Sequence, residues 1–378
     1  MSRFPLADRY PGVAALARVE LCALPTPAEQ LLLPGDTADR FHALYVKRDD
    51  LTNARYGGNK VRKLEFLLGE ARAQSRTTVL TFGAYGSNHA LATAVYAREL
   101  GLEPHVVLSP QAPGPFAAAT LRAHAALGTV IHLVDGWDGA REAVRAKQGL
   151  ALRDGVEPYV IPMGGTSPLG AIGYVNAAFE VLEQAAAGEK PVLGGLLTLR
   201  GDGGAVIGPD VVYVAAGTLG TAIGLAIGFA AAGAPTRVVA TRVTPESVAT
   251  DAVAEKLAAD TIALLRSLDG GFPALSPADL AFKLRHDWFE PGYGIVTDET
   301  SEAVALAAGA GVGLETTYTG KAFAAMIADA RAGQLVGDHV LFWDTYNSAP
   351  LPAPGDDALL PPVLQDYVAE CDRVFGRA

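Results

Sequence analysis

The stretch YGGNKVRKLE, residues 56–65, places two glycines, an asparagine and a lysine where an apolar helical pattern begins. Adjacent glycines permit a sharp turn that exposes peptide N–H groups to a ligand. Asn59 is then predicted to cap a helix that begins at Lys60. Because Lys60 shares a face with the apolar positions four, seven and eleven residues later, we expect its side chain to project near the buried stripe.

A buried lysine next to a like charge has unusual chemistry. Burial and the charge of Lys63, one helical turn away, both favour the neutral amine of Lys60, the form that condenses with carbonyls. This predicts a lysine that forms a Schiff base. The alternative is a lysine that extends its ammonium into solvent or pairs with Asp49 or Asp50. The local pattern leaves both interpretations open.

The composition is that of a soluble globular protein of one large α/β unit or two domains, with 378 residues of which 50% are hydrophobic and 19% charged. A net charge of -11 argues against nucleic-acid and membrane partners. Residues 47–65 are the exception: six basic and three acidic side chains there would suit a small anion. Cys22 and Cys371 form neither a disulfide framework nor a metal motif, so we expect no metal site and a cytoplasmic location.

The longest apolar run, residues 218–234, approaches the length of a membrane span. It lies between two strand-like segments and lacks aromatic flanks. We therefore predict a close-packed helix in an α/β core. Residues 1–10 carry charges and a proline where a secretory peptide needs an apolar core, so no export signal is expected.

Short β-branched runs alternate with helical segments, which predicts parallel sheets with helices on both faces. Ligands of such sheets bind beyond the carboxyl ends of the strands, so the loops after strands are the candidate sites. A glycine-rich stretch at residues 188–209 is predicted to be an inserted loop or hairpin, and a short helix is predicted at residues 363–374. The predicted strands are residues 77–82, 105–108, 129–134, 158–161, 210–214, 237–244 and 339–343.

The first of these loops leads into a helix through Ser87, Asn88 and His89. Hydroxyl, amide and free N–H groups at a helix N-terminus form a natural carboxylate site. The alternative is that Ser87 only caps the helix.

A second loop contains Gly217, Thr218, Leu219, Gly220 and Thr221 and also begins a helix. Glycine-rich backbone at a helix N-terminus is typical of phosphate sites. The loop matches neither the Walker motif nor the dinucleotide fingerprint, so a looser nucleotide site stays an open alternative.

A third region has Tyr293 between two glycines, and Tyr318 further on at the start of another helical stretch. Tyrosines in such positions often contact ligands, but plain turns have the same composition. Both interpretations stand.

Taken in order, these motifs resemble the pyridoxal-phosphate enzymes of the D-cysteine desulfhydrase and 1-aminocyclopropane-1-carboxylate deaminase group. The match runs from about residue 19 to about residue 343. Its most specific blocks are KRDDLT at residues 47–52 with GGNK at residues 57–60, and the pair PMGG and GAIGY at residues 162–165 and 170–174.

The resemblance implies a two-domain α/β protein with three-layer, open parallel sheets, the tryptophan synthase β-subunit type of fold known as fold type II. A small domain of residues 63–173 would be inserted in a large cofactor-binding domain made of residues 1–62 plus 174–378. The resemblance also suggests a small amino-acid substrate and a homodimer.

The same resemblance implies roles for individual residues. Lys60 would hold pyridoxal 5'-phosphate as a Schiff base and move the α-proton of the substrate. Lys63 and the backbone of residues 217–221 would bind the cofactor phosphate, and Asn88 would lie against the pyridine ring. The substrate carboxylate would bind to Ser87, Asn88 and His89, while Tyr293 and Tyr318 would face the substrate as hydrogen-bonding or acid–base groups.

Thr319 distinguishes the two branches of the group. The ring-opening deaminases place a glutamate there, which keeps the pyridine nitrogen protonated. A neutral hydroxyl near that nitrogen suits elimination of a good β-leaving group. We therefore expect β-elimination of D-cysteine or a related amino acid to pyruvate, sulfide and ammonia. The alternatives are deamination of 1-aminocyclopropane-1-carboxylate to 2-oxobutanoate, or a non-catalytic nucleotide- or amino-acid-binding module.

The chain departs from the family pattern at two places near the site. Residues 85–86, Tyr-Gly, replace an apolar residue and a glutamine. Residues 344–347, Asp-Thr-Tyr-Asn, replace His-Thr-Gly-Gly. We expect these residues to reshape the pocket, so the substrate and its stereochemistry stay open. The 188–209 stretch lies away from the motifs and is expected to affect a subunit contact.

Overall fold

The computed structural model describes residues 4–34, 40–114, 116–135, 149, 155, 157–186 and 208–377. Its strands are β1 (Ala28–Gln30), β2 (Ala43–Arg48), β3 (Thr78–Ala84), β4 (Glu103–Ser109), β5 (Val130–Leu133), β6 (Tyr159–Val160), β7 (Val211–Ala216), β8 (Arg237–Arg242), β9 (Phe282–Arg285) and β10 (His339–Asp344). The helices are Pro5–Arg9, Lys60–Ala73, Asn88–Glu99, Ala117–Ala126, Pro168–Ala186, Gly220–Ala231, Asp251–Leu268, Asp298–Gly309, Thr319–Arg331 and Pro362–Phe375.

The strands form two sheets. One has six strands in the order β1-β2-β10-β7-β8-β9, and the other has four in the order β5-β4-β3-β6. Every pairing is parallel except that of β1 with β2. All residues of the central strands β7 and β10 are buried, as expected for strands covered by helices on both faces. The α/β class with predominantly parallel sheets is confirmed.

The seven strands predicted from the sequence are confirmed, each within two residues at its ends. β1, β2 and β9 were not predicted because β1 and β9 are short and β2 ends in Lys47 and Arg48. The side chain of Lys47 is nonetheless fully buried. A strand whose buried position holds a charge does not show the continuous apolar run of a central strand.

The apolar run at residues 218–234 forms the helix Gly220–Ala231, most of which is buried. Small residues let it pack closely on Pro168–Ala186: a Cβ at Gly224 would lie 2.5 Å from the carbonyl oxygen of Ala171. The predicted core helix is confirmed. Among the helices of the described residues, none is long and apolar enough to cross a bilayer.

The four-stranded sheet spans residues 78–160 and so lies inside the range predicted for the small domain. The predicted boundaries at residues 62 and 173 each fall inside a helix, Lys60–Ala73 and Pro168–Ala186. The division at these two residues stays a prediction. The predicted terminal helix is confirmed as Pro362–Phe375. Nearly all of the predicted insertion at residues 188–209 lies outside the described residues.

Candidate active site

A cavity lies beyond the carboxyl ends of β3, β7, β8 and β10, where ligands of parallel sheets bind. The structure brings all of the residues predicted for the site into its lining. These are Lys60, Lys63, Ser87, Asn88, His89, Gly217, Thr218, Leu219, Gly220, Thr221, Tyr293, Tyr318 and Thr319.

Lys60 is the first residue of its helix and faces this cavity. Its Nζ donates a hydrogen bond to Asn59 Oδ1 at 2.6 Å. Burial lowers the pKa of the Lys60 amine to about 8, although the nearby Glu315 carboxylate favours the charged form. The carboxylates of Asp49 and Asp50 bond to arginines instead. Lys60 is thus an amine in a cavity, with a substantial neutral fraction at neutral to slightly basic pH.

The prediction that Asn59 caps the helix is wrong. The backbone of Asn59 is already helical and its side chain makes no capping bond. Its Nδ2 donates to Thr221 Oγ1 at 3.0 Å, and its Oδ1 accepts from Lys60. The amide therefore connects the start of the helix to the loop at residues 217–221, a contact between segments far apart in the chain.

The loop at residues 217–221 turns from β7 into a helix through an unusual backbone conformation. Leu219 has a φ of 69°, in the left-handed region. This backbone conformation is costly for any residue that has a Cβ, and such strain is concentrated at functional sites. The turn places the first N–H groups of the helix Gly220–Ala231 at the cavity, where they can bind an anion.

We call this site, made of Lys63 and the backbone of residues 217–221, the anion cradle. At two glycines in or beside it, neighbouring atoms leave no room for a side chain. A Cβ at Gly220 would lie 2.9 Å from Lys63 Nζ, and one at Gly164 would lie 2.1 Å from Thr218 Oγ1. Lys63 Nζ donates to the carbonyl oxygen of Gly164 at 3.1 Å and to Thr166 Oγ1 at 3.4 Å.

Lys63 is a buried lysine without a carboxylate partner in the part of the chain that the structure describes. Burial, with the like charge of Lys60, holds the pKa of Lys63 well below its usual range. The charge effect expected from the sequence thus acts on Lys63, whereas the pKa of Lys60 is lowered by burial. A bound anion would favour the charged form of Lys63.

Ser87 and Asn88 begin the helix that follows β3. Ser87 Oγ accepts a hydrogen bond from Ala90 N at 3.2 Å, so the predicted cap is confirmed. Asn88 Oδ1 accepts from the Tyr56 hydroxyl at 3.1 Å. This bond leaves the amide nitrogen of Asn88 as the group to donate to a ligand. Tyr56 was not identified from the sequence, and no local signal marks it.

His89 lines the cavity from a buried position. Its Nε2 accepts from Gly165 N at 3.1 Å and lies 2.9 Å from Thr81 Oγ1. Burial, together with Lys60 and Lys63, lowers the pKa of His89 well below its usual value, so the ring is neutral. Its Nδ1 has no partner among the described residues. The neutral ring is thus fixed through Nε2, and its Nδ1 is buried.

Tyr293 and Tyr318 form a hydrogen-bonded pair of phenols in the cavity, with their oxygens 2.7 Å apart. Burial raises the pKa of both, and that of Tyr318 lies well above its ordinary value. Both phenols are therefore protonated at neutral pH. The pair can pass a proton or share one hydrogen bond with a ligand.

Glu315 is a cavity residue that the sequence did not reveal. Its side chain accepts hydrogen bonds from the backbone nitrogens of Thr317, Tyr318 and Thr319 at 2.7, 2.7 and 2.8 Å. Burial raises the pKa of Glu315, and these N–H groups oppose the shift. In the sequence, Glu315 is an acidic residue just before a helix, and this pattern is typical of an exposed N-terminal cap.

Of the residues that depart from the family pattern, those at 346–347 lie at the cavity and Tyr85 does not. Tyr346 lines the cavity, and burial raises its pKa to about 12. Asn347 Oδ1 accepts from Gly57 N at 2.6 Å and fixes this loop to the glycine turn. Tyr85 instead packs against Tyr367 of the C-terminal helix, with ring centroids 4.9 Å apart. The aromatic group added to the pocket is therefore Tyr346.

Comparison with known proteins defines the class. A family model described as pyridoxal-phosphate dependent enzyme matches residues 19–345. D-cysteine desulfhydrases of Salmonella schwarzengrund and Salmonella typhi are each 36% identical over 320 residues, which cover 82% of this chain and 87% of theirs. The chain belongs to the family of pyridoxal-phosphate-dependent enzymes.

Solved structures define the fold. A crystal structure of an ACC deaminase homologue matches with a TM-score of 0.72 and 28% identity, covering 98% of this chain and 100% of that one. Threonine deaminase isoform 2 from Solanum lycopersicum matches with a TM-score of 0.54 and 18% identity, covering 98% and 86%, and shows the fold alone. The fold is the tryptophan synthase β-type, fold type II. The protein is an enzyme with pyridoxal 5'-phosphate as its cofactor.

Features of the cavity fit this cofactor. An amine with a pKa of about 8 suits an aldehyde, and a glycine-rich helix N-terminus suits a phosphate. The buried amine of Lys63 has no counter-charge in the described residues, and a phosphate would supply one and favour the charged form of the amine. The residues present therefore fit the group.

Proposed function

We propose that the protein eliminates the β-substituent of a small amino acid, with D-cysteine as the substrate and pyruvate, sulfide and ammonia as products. The observation that carries the proposal is the meeting, in one cavity, of the Lys60 amine, the anion cradle and the Tyr293–Tyr318 phenol pair. The D-cysteine desulfhydrases at 36% identity support the choice of substrate.

In this proposal Lys60 would hold the cofactor through its aldehyde, and the Lys60 amine would remove the α-proton of the substrate. The cofactor, when bound, withdraws electrons from the α-carbon. Lys63 and the backbone of residues 217–221 bind the phosphate. Burial of Lys63 in a dry cradle strengthens that contact.

The substrate carboxylate would bind to Ser87 and Asn88 at the helix N-terminus, and Asn88 would also contact the ring of the bound cofactor. Tyr56 orients the Asn88 amide for this contact. The neutral His89 ring lies beside these groups and is held through Nε2 by Gly165 N. None of these side chains adds a second positive charge beside Lys60.

The phenol pair protonates the departing sulfur. Tyr318 and Tyr293 are held 2.7 Å apart, and both keep their protons because burial raises the pKa of each. Thr319 would supply a neutral hydroxyl toward the pyridine nitrogen of the bound cofactor, and this hydroxyl already accepts from Glu315 N at 3.0 Å. Glu315 is the nearest alternative carboxylate in sequence, and its oxygens are already bonded to three backbone N–H groups.

A second candidate is deamination of 1-aminocyclopropane-1-carboxylate, because the ACC deaminase homologue matches over nearly the whole chain with a TM-score of 0.72. The sequence feature against it is Thr319. Pyruvate from D-cysteine and 2-oxobutanoate from the cyclopropane substrate distinguish the two activities.

We predict that the purified enzyme forms pyruvate and sulfide from D-cysteine, and that Thr319→Glu lowers this kcat by about 10-fold or more. A carboxylate at that position would protonate the ring nitrogen and change how strongly the cofactor withdraws electrons. Ala305→Glu, at an exposed position of the helix Asp298–Gly309, is the control for the added charge. Efficient 2-oxobutanoate formation by the unmodified enzyme, or no keto acid from D-cysteine, would contradict the proposal.

We predict a pH dependence for uptake of the cofactor by enzyme stripped with hydroxylamine. The amine of Lys60 is neutral above its pKa of about 8, so the rate of Schiff-base formation should rise as pH increases and level off above that value. Uptake at pH 7 should be about tenfold slower than at pH 9. The rate is followed by visible absorbance; a rate that keeps rising to pH 10.5 would indicate an unperturbed lysine.

We also propose a homodimer and a cytoplasmic location. The first follows from the resemblance to the family. The second is supported by the two cysteines, Cys22 and Cys371, which are buried and unpaired. Sedimentation of the purified enzyme at micromolar concentration tests the first, since a monomer would contradict it.

A further inference from the structure

Lys321 is a buried lysine that does not line the cavity. Its side chain is only 1% exposed. It lies in the first turn of the helix Thr319–Arg331, and its Nζ donates to the carbonyl oxygens of Phe289 and Gly292, at 2.9 and 3.0 Å. Burying an ammonium is costly unless its hydrogen bonds are satisfied. The two carbonyl contacts therefore indicate that this lysine has a specific structural task.

The two carbonyls that Lys321 binds lie four residues and one residue before Tyr293 in the chain. Lys321 itself lies three residues after Tyr318. One ammonium thus connects the two segments that carry the paired phenols, whose oxygens lie 2.7 Å apart. The separation of the phenols depends on how these two segments are held together.

The segment carrying Tyr293 has little core of its own. Ile295 and Val296, which follow it, are 45% and 46% exposed. On the other side, Phe289 is held by cations: its ring centroid lies 4.8 Å from Arg242 Cζ and 5.9 Å from Lys321 Nζ. Trp288, just before Phe289, packs partly buried against a core cluster. Beyond it the apolar side chains contribute little burial, so the polar anchors at residues 289–292 determine where Tyr293 lies.

We propose that Lys321 is a positioning residue for the Tyr293–Tyr318 pair, an inference that rests on the proposed function. Lys321 touches neither substrate nor cofactor. Its ammonium fixes residues 289–292 against the Thr319 helix and so sets the distance between the two phenols. Removing it lets Tyr293 move away from Tyr318, which slows proton delivery while the Lys60 amine and the anion cradle stay as they are.

The test is Lys321→Met in the holoenzyme, with Lys256→Met as the matched control. Lys256 is an exposed lysine paired with Asp260 on a distant helix. Lys321→Met is expected to lower kcat for pyruvate formation by about 100-fold, the scale that a misplacement of about 1 Å can cost. KM should change less than about threefold and the visible absorbance of the Schiff base should be retained, while Lys256→Met should match the unmodified enzyme.

A double-mutant cycle with Tyr293→Phe separates positioning from a general loss of structure. If Lys321 acts through Tyr293, Lys321→Met should add little to the loss already caused by Tyr293→Phe. Lys321→Arg, which keeps the charge and donors, should restore part of kcat and serves if the methionine variant folds poorly. Full additivity of the two losses, or unchanged kcat in both Lys321 variants, would overturn the inference.

Hydrogen exchange distinguishes failure of the inference from failure of the proposed function. Lys321→Met should speed amide exchange about tenfold in residues 286–297, whatever the substrate proves to be. If the unmodified enzyme makes no keto acid, the proposed function fails and this readout still decides the anchoring. Unchanged exchange in that segment would reject it.

Discussion

Lys60→Ala is expected to reduce kcat for pyruvate formation by at least about 10³-fold, because general-base transfer alone contributes about 10²–10⁴-fold. The variant removes the one amine that faces the cavity with a pKa of about 8. It also removes the hydrogen bond to Asn59 Oδ1, which is a partly exposed contact of modest energy. Steady-state kinetics with D-cysteine measures the effect.

Lys256→Ala is the control for loss of a lysine, since its side chain is 77% exposed. The melting temperature of Lys60→Ala should stay close to that of the unmodified protein once both are stripped of cofactor. A variant that folds, binds the cofactor and keeps more than about a tenth of the kcat would show that the base is another group.

Arg62→Leu is expected to destabilise the fold strongly. Arg62 donates to Asp49 Oδ1 at 2.7 Å and to Glu180 Oε2 at 2.9 Å, and Lys47 Nζ lies 2.6 Å from Glu180. All four side chains are at most 3% exposed. Removing one cation leaves two buried carboxylates with a single lysine, which costs about 3–5 kcal/mol. The measurement is the shift of the denaturant or thermal midpoint.

Arg55→Leu is the matched control, because Arg55 pairs with Glu99 at the surface and is 60% exposed. Such a pair contributes about 0–1 kcal/mol. Equal midpoints for Arg62→Leu and Arg55→Leu would contradict the importance assigned to the buried cluster. Arg62 lies two residues after Lys60 in the same helix, so its loss should weaken cofactor retention before global unfolding.

The buried cluster of Lys47, Asp49, Arg62 and Glu180 makes the free energy of unfolding depend on pH in the acid range. Burial raises the pKa of Glu180, but Arg62 and Lys47 outweigh it and bring the value to about 2. A carboxyl with a depressed pKa contributes stability that is fully present above its unfolded value, about 4.3. That contribution is lost as the pH falls from this value through about 2.

The sequence predicted those parts of the fold that depend on local pattern. Runs of β-branched residues identified seven strands, and the glycine-rich turn identified the cradle at residues 217–221. β2 was missed because its buried Lys47 is compensated by Glu180, whose position 133 residues away no local window contains. The periodicity of a local segment cannot show that a buried charge is paired with a residue far away in the sequence.

The same limit applies to the site. The Lys60 amine and the phenols were predicted, but their roles stay proposals. Asn59 was taken for a cap because its true partner, Thr221, is distant in sequence. Glu315 was missed because its burial is produced by tertiary contacts, which the local sequence does not indicate. Of the two aromatic departures from the family pattern, Tyr346 lines the cavity and Tyr85 does not.

The most direct test of Lys60 as the cofactor-binding residue is borohydride reduction of the purified yellow enzyme, followed by mass-spectrometric mapping of the labelled peptide. One pyridoxyl group per chain is expected on Lys60, with no label on Lys63 despite its position one helical turn away. A colourless protein that takes up no label, or a label on any other lysine, would show that Lys60 does not hold the cofactor.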